Sequence, residues 1–262
     1  RLASETATAH LGGTPIFIRG DELQLGRGET IADTARIISG FCSALVIRTF
    51  AQADVDELGK WATIPVINAL TDDDHPTQLL ADWLTIRENF GENIAGRKFV
   101  YLGDGNNMAN TWLIMGAIMG AHVVAATPSG KWAPSLEAIA TAKKIAAHSG
   151  ATVEVTDDPE NAAKGASVLY TDVWMSMGDP ESERSEKSQV LAPFSVTEHL
   201  MSLTSSDSIF MHCLPAHRGE EVAASVIDGT RSVIWREAFH RRTTIQSLLY
   251  HLIRGEIQGV SH

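Results

Sequence analysis

Five short polar clusters in this 262-residue sequence lie where apolar, strand-like segments end. Each contains residue types that bind anions, carbonyl groups or ammonium groups. The clusters are Arg48-Thr49, His75-Pro76-Thr77-Gln78, Asp104-Gly105-Asn106-Asn107, the DVWMSMG segment from Asp172 to Gly178, and His212-Cys213-Leu214-Pro215. One such cluster carries little information, but five at the same edge of a sheet predict a ligand-binding cleft.

The first two clusters suit an anionic ligand. Arg48 is a permanent cation with planar donors that match phosphate or a polarised carbonyl, although a lone arginine often forms only a surface ion pair. His75 precedes a predicted helix, where it can donate to a developing oxyanion or simply cap and pack. Gln78 lies one turn further on and is either a second donor or an exposed helix position.

The Gly103-Asp104-Gly105 turn invites comparison with dinucleotide-binding loops, but Met108 stands where their third glycine is expected. A nicotinamide site is therefore disfavoured. The turn more plausibly gives the backbone the freedom to aim Asn107 at a ligand. The competing interpretation of Asn107 is a helix cap.

Asp172 and Cys213 end two further strands. A carboxylate at the end of a buried strand must be paired or hydrogen-bonded, which leaves a substrate ammonium or a structural arginine as partner for Asp172. Cys213 is a candidate nucleophile through His212 or His217, but neighbouring residues of a strand point to opposite faces. Zinc is disfavoured because Cys42 and Cys213 have no ligand-like spacing, so we expect a small buried residue beside a ligand.

Apolar segments alternate with helical patterns along the whole chain, which predicts an α/β fold with parallel sheets. The predicted strands are 44–50, 65–70, 98–104, 122–128, 152–156, 167–174 and 208–215. The predicted helices are 30–40, 52–61, 77–89, 108–120, 135–149, 196–202 and 241–254, and residues 1–10 also read as part of a helix that begins before Arg1.

Two polar stretches punctuate this pattern. Residues 90–97 predict a domain boundary, because they are polar and separate a long helix from a new strand. Residues 176–189 are rich in Gly, Pro, Ser and alternating charge, and they predict a long functional loop, a lid over the cleft.

Composition excludes several classes of function. The net charge of −11 contains no concentrated basic run, which disfavours nucleic acid as a partner. Two cysteines cannot form a disulfide-rich scaffold and suit the cytoplasm. No apolar run is long enough to span a membrane, and the N-terminal residues lack the apolar core of a secretory signal.

The motifs HPTQLLADWLTI, GDGNN, DVWMSMG and MHCLPAHRGEEV, in this order and spacing, resemble those of the ornithine carbamoyltransferases. The stretch LQLGRGETIADTARI at 23–37 is similar to a loop and helix of the same family. The resemblance extends over essentially the whole chain, and the SMG triplet weighs against relatives that act on aspartate or putrescine.

The resemblance implies two doubly wound parallel-sheet domains with the active site in the cleft between them. A carbamoyl phosphate-binding domain would occupy residues 1–90, an ornithine-binding domain 91–236, and a C-terminal helix in 237–262 would return to the first domain. It further implies a homo-oligomer, a trimer or a multiple of trimers, that needs no cofactor and no metal.

Site residues follow from the same resemblance. Carbamoyl phosphate would contact Gln24, Arg48, His75, Gln78, Cys213, Leu214 and Arg241, with Gln24 reaching a neighbouring subunit's site. Ornithine would contact Asn107, Asp172, Ser176 and Met177. The catalytic residues would be Arg48, His75, Cys213 and Arg241.

The implied reaction is transfer of a carbamoyl group from carbamoyl phosphate to the δ-amine of ornithine, giving citrulline and phosphate in arginine metabolism. Two departures leave alternatives open. The family's Ser-Thr-Arg-Thr-Arg phosphate loop is represented only by Arg1, and Phe239-His240 replaces the usual Glu-Asn pair before Arg241. The alternatives are a carbamoyltransferase for another amine and a truncated relative that only binds ligands.

Overall fold

The computed structural model describes residues 1–22, 28–175 and 179–257. The chain divides into two compact units, Arg1–Ala81 with Phe239–His262 and Asp82–Ala238. The predicted residues Gln24, Ser176 and Met177 lie outside the described ranges.

The first unit is a small parallel sheet with helices. Its two strands are β1 (Leu45–Arg48) and β2 (Val66–Leu70), which pair in parallel from Leu45 opposite Val66. Its helices are α1 (Leu2–His10), α2 (Ile31–Phe41), α3 (Gln52–Trp61), the start of α4 (Pro76–Phe90) and most of α11 (Ile234–Ile253).

The sequence sets the beginnings of these helices. Thr30 caps α2 by accepting a hydrogen bond from the Asp33 backbone N–H at 3.1 Å. Pro76 begins α4, where its missing N–H costs no helical hydrogen bond. The apolar core of the unit comprises Ala7, Ile67, Ile245 and Leu249.

The second unit contains a five-stranded parallel sheet in the order β5-β4-β3-β6-β7. The strands are β3 (Lys98–Leu102), β4 (His122–Ala126), β5 (Thr152–Thr156), β6 (Val168–Thr171) and β7 (Ile209–His212). The helices are the rest of α4 and the start of α11, with α5 (Asn107–Ile118), α6 (Leu136–Ser149), α7 (Pro159–Ala163), α8 (Arg184–Leu191), α9 (Glu198–Leu203) and α10 (Ala224–Ile227).

Strands β3, β4, β6 and β7 are buried on both faces, as expected for a parallel sheet covered by helices, whereas the edge strand β5 is largely exposed. On one face Trp83, Phe99 and Trp112 form aromatic contacts, and the Trp112 and Tyr170 ring centroids are 4.9 Å apart. On the other face Val100, Leu102 and Leu169 belong to an aliphatic cluster. The alternation of Phe99 and Val100 between faces is the two-residue period of a strand.

The strand order creates a topological switch point. From β3 the chain proceeds outward to β4 and β5 and then returns to place β6 directly beside β3 on the opposite side. Ligands of open parallel sheets bind beyond the carboxyl ends of strands at such a point. A ligand site is therefore expected where the segments following β3 and β6 meet.

All seven predicted strands and the first six predicted helices from 30–40 to 196–202 are confirmed, with shifts at their ends. Two predictions are wrong. The loop expected at 176–189 contains, in its described part, a 3-10 helix at Glu181–Glu183 followed by α8. The last helix begins at Ile234 instead of Arg241, because its first buried positions include the polar Glu237 and His240, which interrupt the apolar pattern.

No helix in the described ranges combines the length and the apolar character that crossing a membrane requires.

Candidate active site

A cationic cluster in the first unit contains four of the predicted residues. Arg48 is exposed at the end of β1, whereas His75 and Gln78 are buried at the start of α4. His75 provides the carbonyl that accepts the first backbone hydrogen bond of α4, from Gln78 N at 3.1 Å. The Arg241 guanidinium donates to the Gln78 side-chain oxygen, so the helices α4 and α11 place these two residues side by side.

Electrostatics within this cluster favour a neutral imidazole. Burial, followed by the positive charges of Arg241 and Arg48, lowers the pKa of His75 from 6.5 to about 3. A neutral imidazole donates one hydrogen bond without adding a third charge. Among the described residues the buried Arg241 Nε has no hydrogen-bond acceptor, which leaves a guanidinium donor available to an anion.

An acidic cluster lies at the switch point of the second unit. Asp172 directly follows β6 and is 8% exposed. Its carboxylate accepts hydrogen bonds from Asn106 Nδ2 at 3.0 Å, Val173 N at 2.7 Å and the Cys213 thiol at 2.8 Å. Three neutral donors thus hold the carboxylate where a cationic ligand was expected to pair with it.

Asn106 is a site residue that the sequence interpretation missed. Its side-chain oxygen caps α5 by accepting from Met108 N at 2.9 Å, and its amide nitrogen donates to Asp172. The alternative role of helix cap for Asn107 is therefore wrong, because Asn106 fills it and Asn107 is the first residue of the helix. The signal in the sequence was that GDGNN contains two adjacent asparagines: the first, Asn106, can be the cap immediately before a helix that begins at the second.

Gly105 allows the turn between β3 and α5 to pack closely. A Cβ built on Gly105 would come within 2.1 Å of the Ala133 carbonyl carbon, and its N–H donates to the Trp132 carbonyl at 2.9 Å. A side chain at this position would displace the turn that carries Asn106. Gly105 therefore allows close backbone packing, whereas the sequence had suggested backbone freedom that aims Asn107 at a ligand.

Cys213 follows β7 with its thiol on the Asp172 carboxylate. Burial and then the negative charge of Asp172 raise the pKa of the thiol well above its usual value, so Cys213 stays protonated and is a poor nucleophile. Leu214 comes next with a φ of 58° and packs against the aliphatic core.

His212 cannot serve as a base for that thiol. Its Nδ1 accepts from the Leu214 backbone N–H at 2.9 Å, so the proton resides on Nε2, which donates to Glu221 at 3.3 Å. Both ring nitrogens are thus used to hold the chain from His212 to Glu221. These contacts position Cys213 and Leu214 and take no part in proton transfer.

One group of side chains in the described ranges approaches a metal-binding arrangement. His217, Glu220 and Glu221 have ligand atoms within 4.8 Å of one another. Oε1 of Glu221 already accepts from His212 and from the His217 backbone N–H, and Oε2 lies 3.7 Å from His217 Nδ1. We therefore interpret the group as structural.

The two units define a class of protein: parallel α/β units that carry, respectively, a cationic cluster and a switch-point carboxylate at strand ends. Comparisons with known proteins identify the family. The carbamoyl-P binding domain model of the aspartate/ornithine carbamoyltransferases matches residues 1–88, and the Asp/Orn binding domain model matches residues 95–252. The chain belongs to the aspartate/ornithine carbamoyltransferase family.

Individual relatives agree with this placement. A protein of Anoxybacillus flavithermus named ornithine carbamoyltransferase is 49% identical over 253 residues, covering 97% of this chain and 80% of its own length. A Pyrococcus furiosus protein named ornithine carbamoyltransferase, anabolic, is 47% identical over 258 residues, covering 98% and 81%. The solved structure of ornithine carbamoyltransferase from Pyrococcus furiosus superposes with a TM-score of 0.92 at 47% identity and the same coverage.

Proposed function

We propose that the chain transfers the carbamoyl group of carbamoyl phosphate to the δ-amine of L-ornithine, giving L-citrulline and phosphate in arginine biosynthesis. The observation that supports ornithine most directly is the Asp172 carboxylate at the switch point, preoriented by Asn106 and Cys213. A carboxylate whose donors are all neutral has no cationic partner among them, which leaves it able to pair with the α-ammonium of an amino acid.

Carbamoyl phosphate is assigned to the cationic cluster. Arg48, Gln78 and Arg241 bind the phosphate and the carbonyl oxygen, and His75 donates to that oxygen in its neutral form. Leu214 and Cys213 line the carbamoyl group, and Gln24 reaches the phosphate in a neighbouring subunit of a homotrimer or a multiple of trimers. Residues 1–90 and the helix in 237–262 thus bind this substrate in a cytoplasmic enzyme.

Ornithine is assigned to residues 91–236. Asp172 and Asn107 hold the end of ornithine that carries the α-ammonium and the α-carboxylate. Ser176 and Met177 supply the remaining contacts to ornithine. Holding one end of the substrate orients the neutral δ-amine for attack, which converts a bimolecular encounter into an intramolecular step.

The reaction proceeds through a tetrahedral intermediate. The δ-nitrogen forms a bond to the carbamoyl carbon while the carbonyl π-electrons move onto oxygen, where Arg48 and His75 stabilise the charge. The bond from that carbon to the phosphate oxygen then breaks, the carbonyl re-forms, and phosphate departs and takes up the proton that the nitrogen loses. Preorganised donors of this kind each lower the barrier by about 3 kcal/mol.

The test is a citrulline-formation assay with a substrate panel. Carbamoyl phosphate is supplied with ornithine, lysine, putrescine or aspartate, and ornithine is expected to give the highest kcat/KM. Asp172→Asn should raise the KM for ornithine about tenfold or more, because a charge-assisted contact contributes about 1.5–3 kcal/mol.

The matched control is Asp157→Asn, because Asp157 follows β5 at an exposed position and accepts from Ser129 Oγ at 2.9 Å. It should leave the KM unchanged. Putrescine is a diamine without the α-carboxylate of ornithine, and a preference for it would assign the chain to another amine substrate. Carbamoyl phosphate binding without any product would favour a ligand-binding relative.

A further inference from the structure

Lys187 is a buried cation on α8, the helix that replaces the expected loop. Its side chain is 3% exposed, and Nζ lies 2.7 Å from Asp104 Oδ2 and 2.6 Å from Asp179 Oδ2. It also lies 5.1 Å from the centroid of the Trp132 ring. Lysine is almost never buried unless paired, so this side chain has a definite structural task.

Both carboxylate partners belong to segments that flank the acidic cluster. Asp104 lies in the turn after β3, two residues before Asn106, whose amide holds Asp172. Asp179 lies seven residues after Asp172 in the chain that follows β6. The Lys187 ammonium group therefore links the turn after β3, which carries Asn106, to the segment after β6, which begins with Asp172.

We propose that Lys187 is a positioning residue for ornithine, because its two ion pairs hold the turn that aims Asn106 at Asp172. The proposal deepens the proposed function and rests on it. Lys187 pairs with Asp104 and Asp179, and neither carboxylate is assigned to substrate, so the influence of Lys187 on ornithine passes through these two residues.

The charge balance explains why this cation cannot be lost without consequence. Burial raises the pKa of Asp104 to about 6 although Lys187 pulls it down, and the nearby Asp179 and Asp172 raise it further. Burial alone would lower the pKa of Lys187, but its ion pairs with Asp104 and Asp179 outweigh that effect and raise it. Removing the ammonium leaves neighbouring carboxyl groups that repel one another, and the turn must shift or take up a proton.

The test compares Lys187→Met with a matched control, Lys131→Met. Lys131 lies over the same Trp132 ring at 4.3 Å, but it is 53% exposed and pairs with Glu183. Lys187→Met should reduce kcat/KM for ornithine about 10- to 100-fold, the scale expected for a small misplacement of a substrate-holding group. The KM for carbamoyl phosphate should be unchanged, and Lys131→Met should behave as wild type.

Two further variants separate positioning from general destabilisation. Lys187→Arg retains the charge and should keep most of the ornithine affinity. The pair Lys187→Met with Asp104→Asn removes the more buried of the two carboxylates that the single variant leaves without their cation. The pair is expected to fold even if the single variant does not, and to recover part of the lost kcat/KM. An equal rise in both substrates' KM values, or no recovery in the pair, would overturn the positioning role.

A readout independent of substrate distinguishes this proposal from the proposed function. Backbone hydrogen exchange over 103–107 should accelerate in Lys187→Met and not in Lys131→Met, because the turn loses its anchor. If wild type forms no citrulline from ornithine, the proposed function fails while the exchange result still decides whether Lys187 holds the turn. Unchanged exchange in Lys187→Met would refute the anchor.

Discussion

Lowering the pH should destabilise the protein through His75 by an amount that the structure fixes. Burial and the charges of Arg241 and Arg48 give His75 a folded-state pKa of about 3, against 6.5 for the ordinary imidazole. The folded protein thus keeps His75 neutral, whereas the unfolded chain binds a proton as the pH falls through 6.5. The stability contribution is complete above pH 6.5 and is lost progressively between pH 6.5 and about 3.

The magnitude follows from proton linkage. Below the unfolded-state pKa, each pH unit removes about 1.4 kcal/mol of unfolding free energy for one group. At pH 5 the solution is about 1.5 pH units below the imidazole pKa of 6.5 in the unfolded chain. Protonation of His75 in the unfolded chain therefore lowers the free energy of unfolding by about 2 kcal/mol relative to pH 7.5. An effect of this size is a large fraction of the stability of a typical domain.

The assay compares urea unfolding of wild type and His75→Asn at pH 7.5 and pH 5. Between pH 7.5 and pH 5 the free energy of unfolding should fall by about 2 kcal/mol more in wild type than in the variant, because asparagine does not titrate. His122→Asn is the control, because it removes a surface imidazole that contacts Glu154 at 2.9 Å, and it should retain the wild-type loss. In nuclear magnetic resonance of ¹³C-labelled histidine, the imidazole signal that is absent in His75→Asn should not shift between pH 8 and 5.

The reasoning would be refuted if wild type and His75→Asn lost the same free energy of unfolding between pH 7.5 and pH 5. A His75 signal that titrates near pH 6 would refute it as well. Either result would mean that the imidazole is solvated or faces a carboxylate, and that the cationic cluster does not form.

Four further outcomes test other parts of the structure. Cys213→Ala should weaken ornithine binding but leave measurable turnover, because the raised pKa of the thiol disfavours a nucleophilic role; a carbamoylated cysteine trapped by mass spectrometry would contradict this. Arg48→Ala should weaken carbamoyl phosphate binding about 10- to 100-fold by calorimetry, and unchanged affinity would remove Arg48 from the site. Gly105→Ala should lower stability by about 1–3 kcal/mol in thermal unfolding because its Cβ would meet a backbone carbonyl carbon at 2.1 Å, whereas Gly59→Ala, in open space on α3, should stabilise by up to about 1 kcal/mol. Burial and the neighbouring Asp82 carboxyl raise the pKa of Glu237 well above 4.5, so the stability that Glu237 contributes is complete below pH 4.5 and is lost as the pH rises toward the folded-state pKa. Glu237→Gln should therefore lose less stability than wild type in urea unfolding as the pH is raised above 4.5, and equal losses in the two proteins would count against a protonated Glu237.

Much of the architecture was readable from the sequence because it depends on local, periodic signals. Strand and helix periodicities located the parallel sheets, and turn residues located the strand ends where polar side chains collect. His75, Gln78 and Arg241 share one cluster in the structure, and Asp172 and Cys213 share another. Motif order and spacing indicated the family that the comparisons then identified.

The errors arose where a polar residue is buried. In α8 the run of alternating charge suggested a solvated loop, but Lys187 and Leu191, four residues apart, both face the interior. At the start of α11 the buried positions are Ile234, Glu237 and His240, which keep helical spacing while breaking the apolar pattern. A hydrophobic pattern cannot reveal a helix whose buried face is polar.

The sequence by itself determined the alternation of strands and helices, the family, and the residue types at the strand ends, because these follow from local propensity and from order along the chain. Only the tertiary structure decided which charges meet. It gave Asp172 neutral donors, placed Lys187 between Asp104 and Asp179, and set His75 among arginines. Protonation and hydrogen bonding depend on distances of a few ångströms between residues remote in sequence, and folding alone sets those distances.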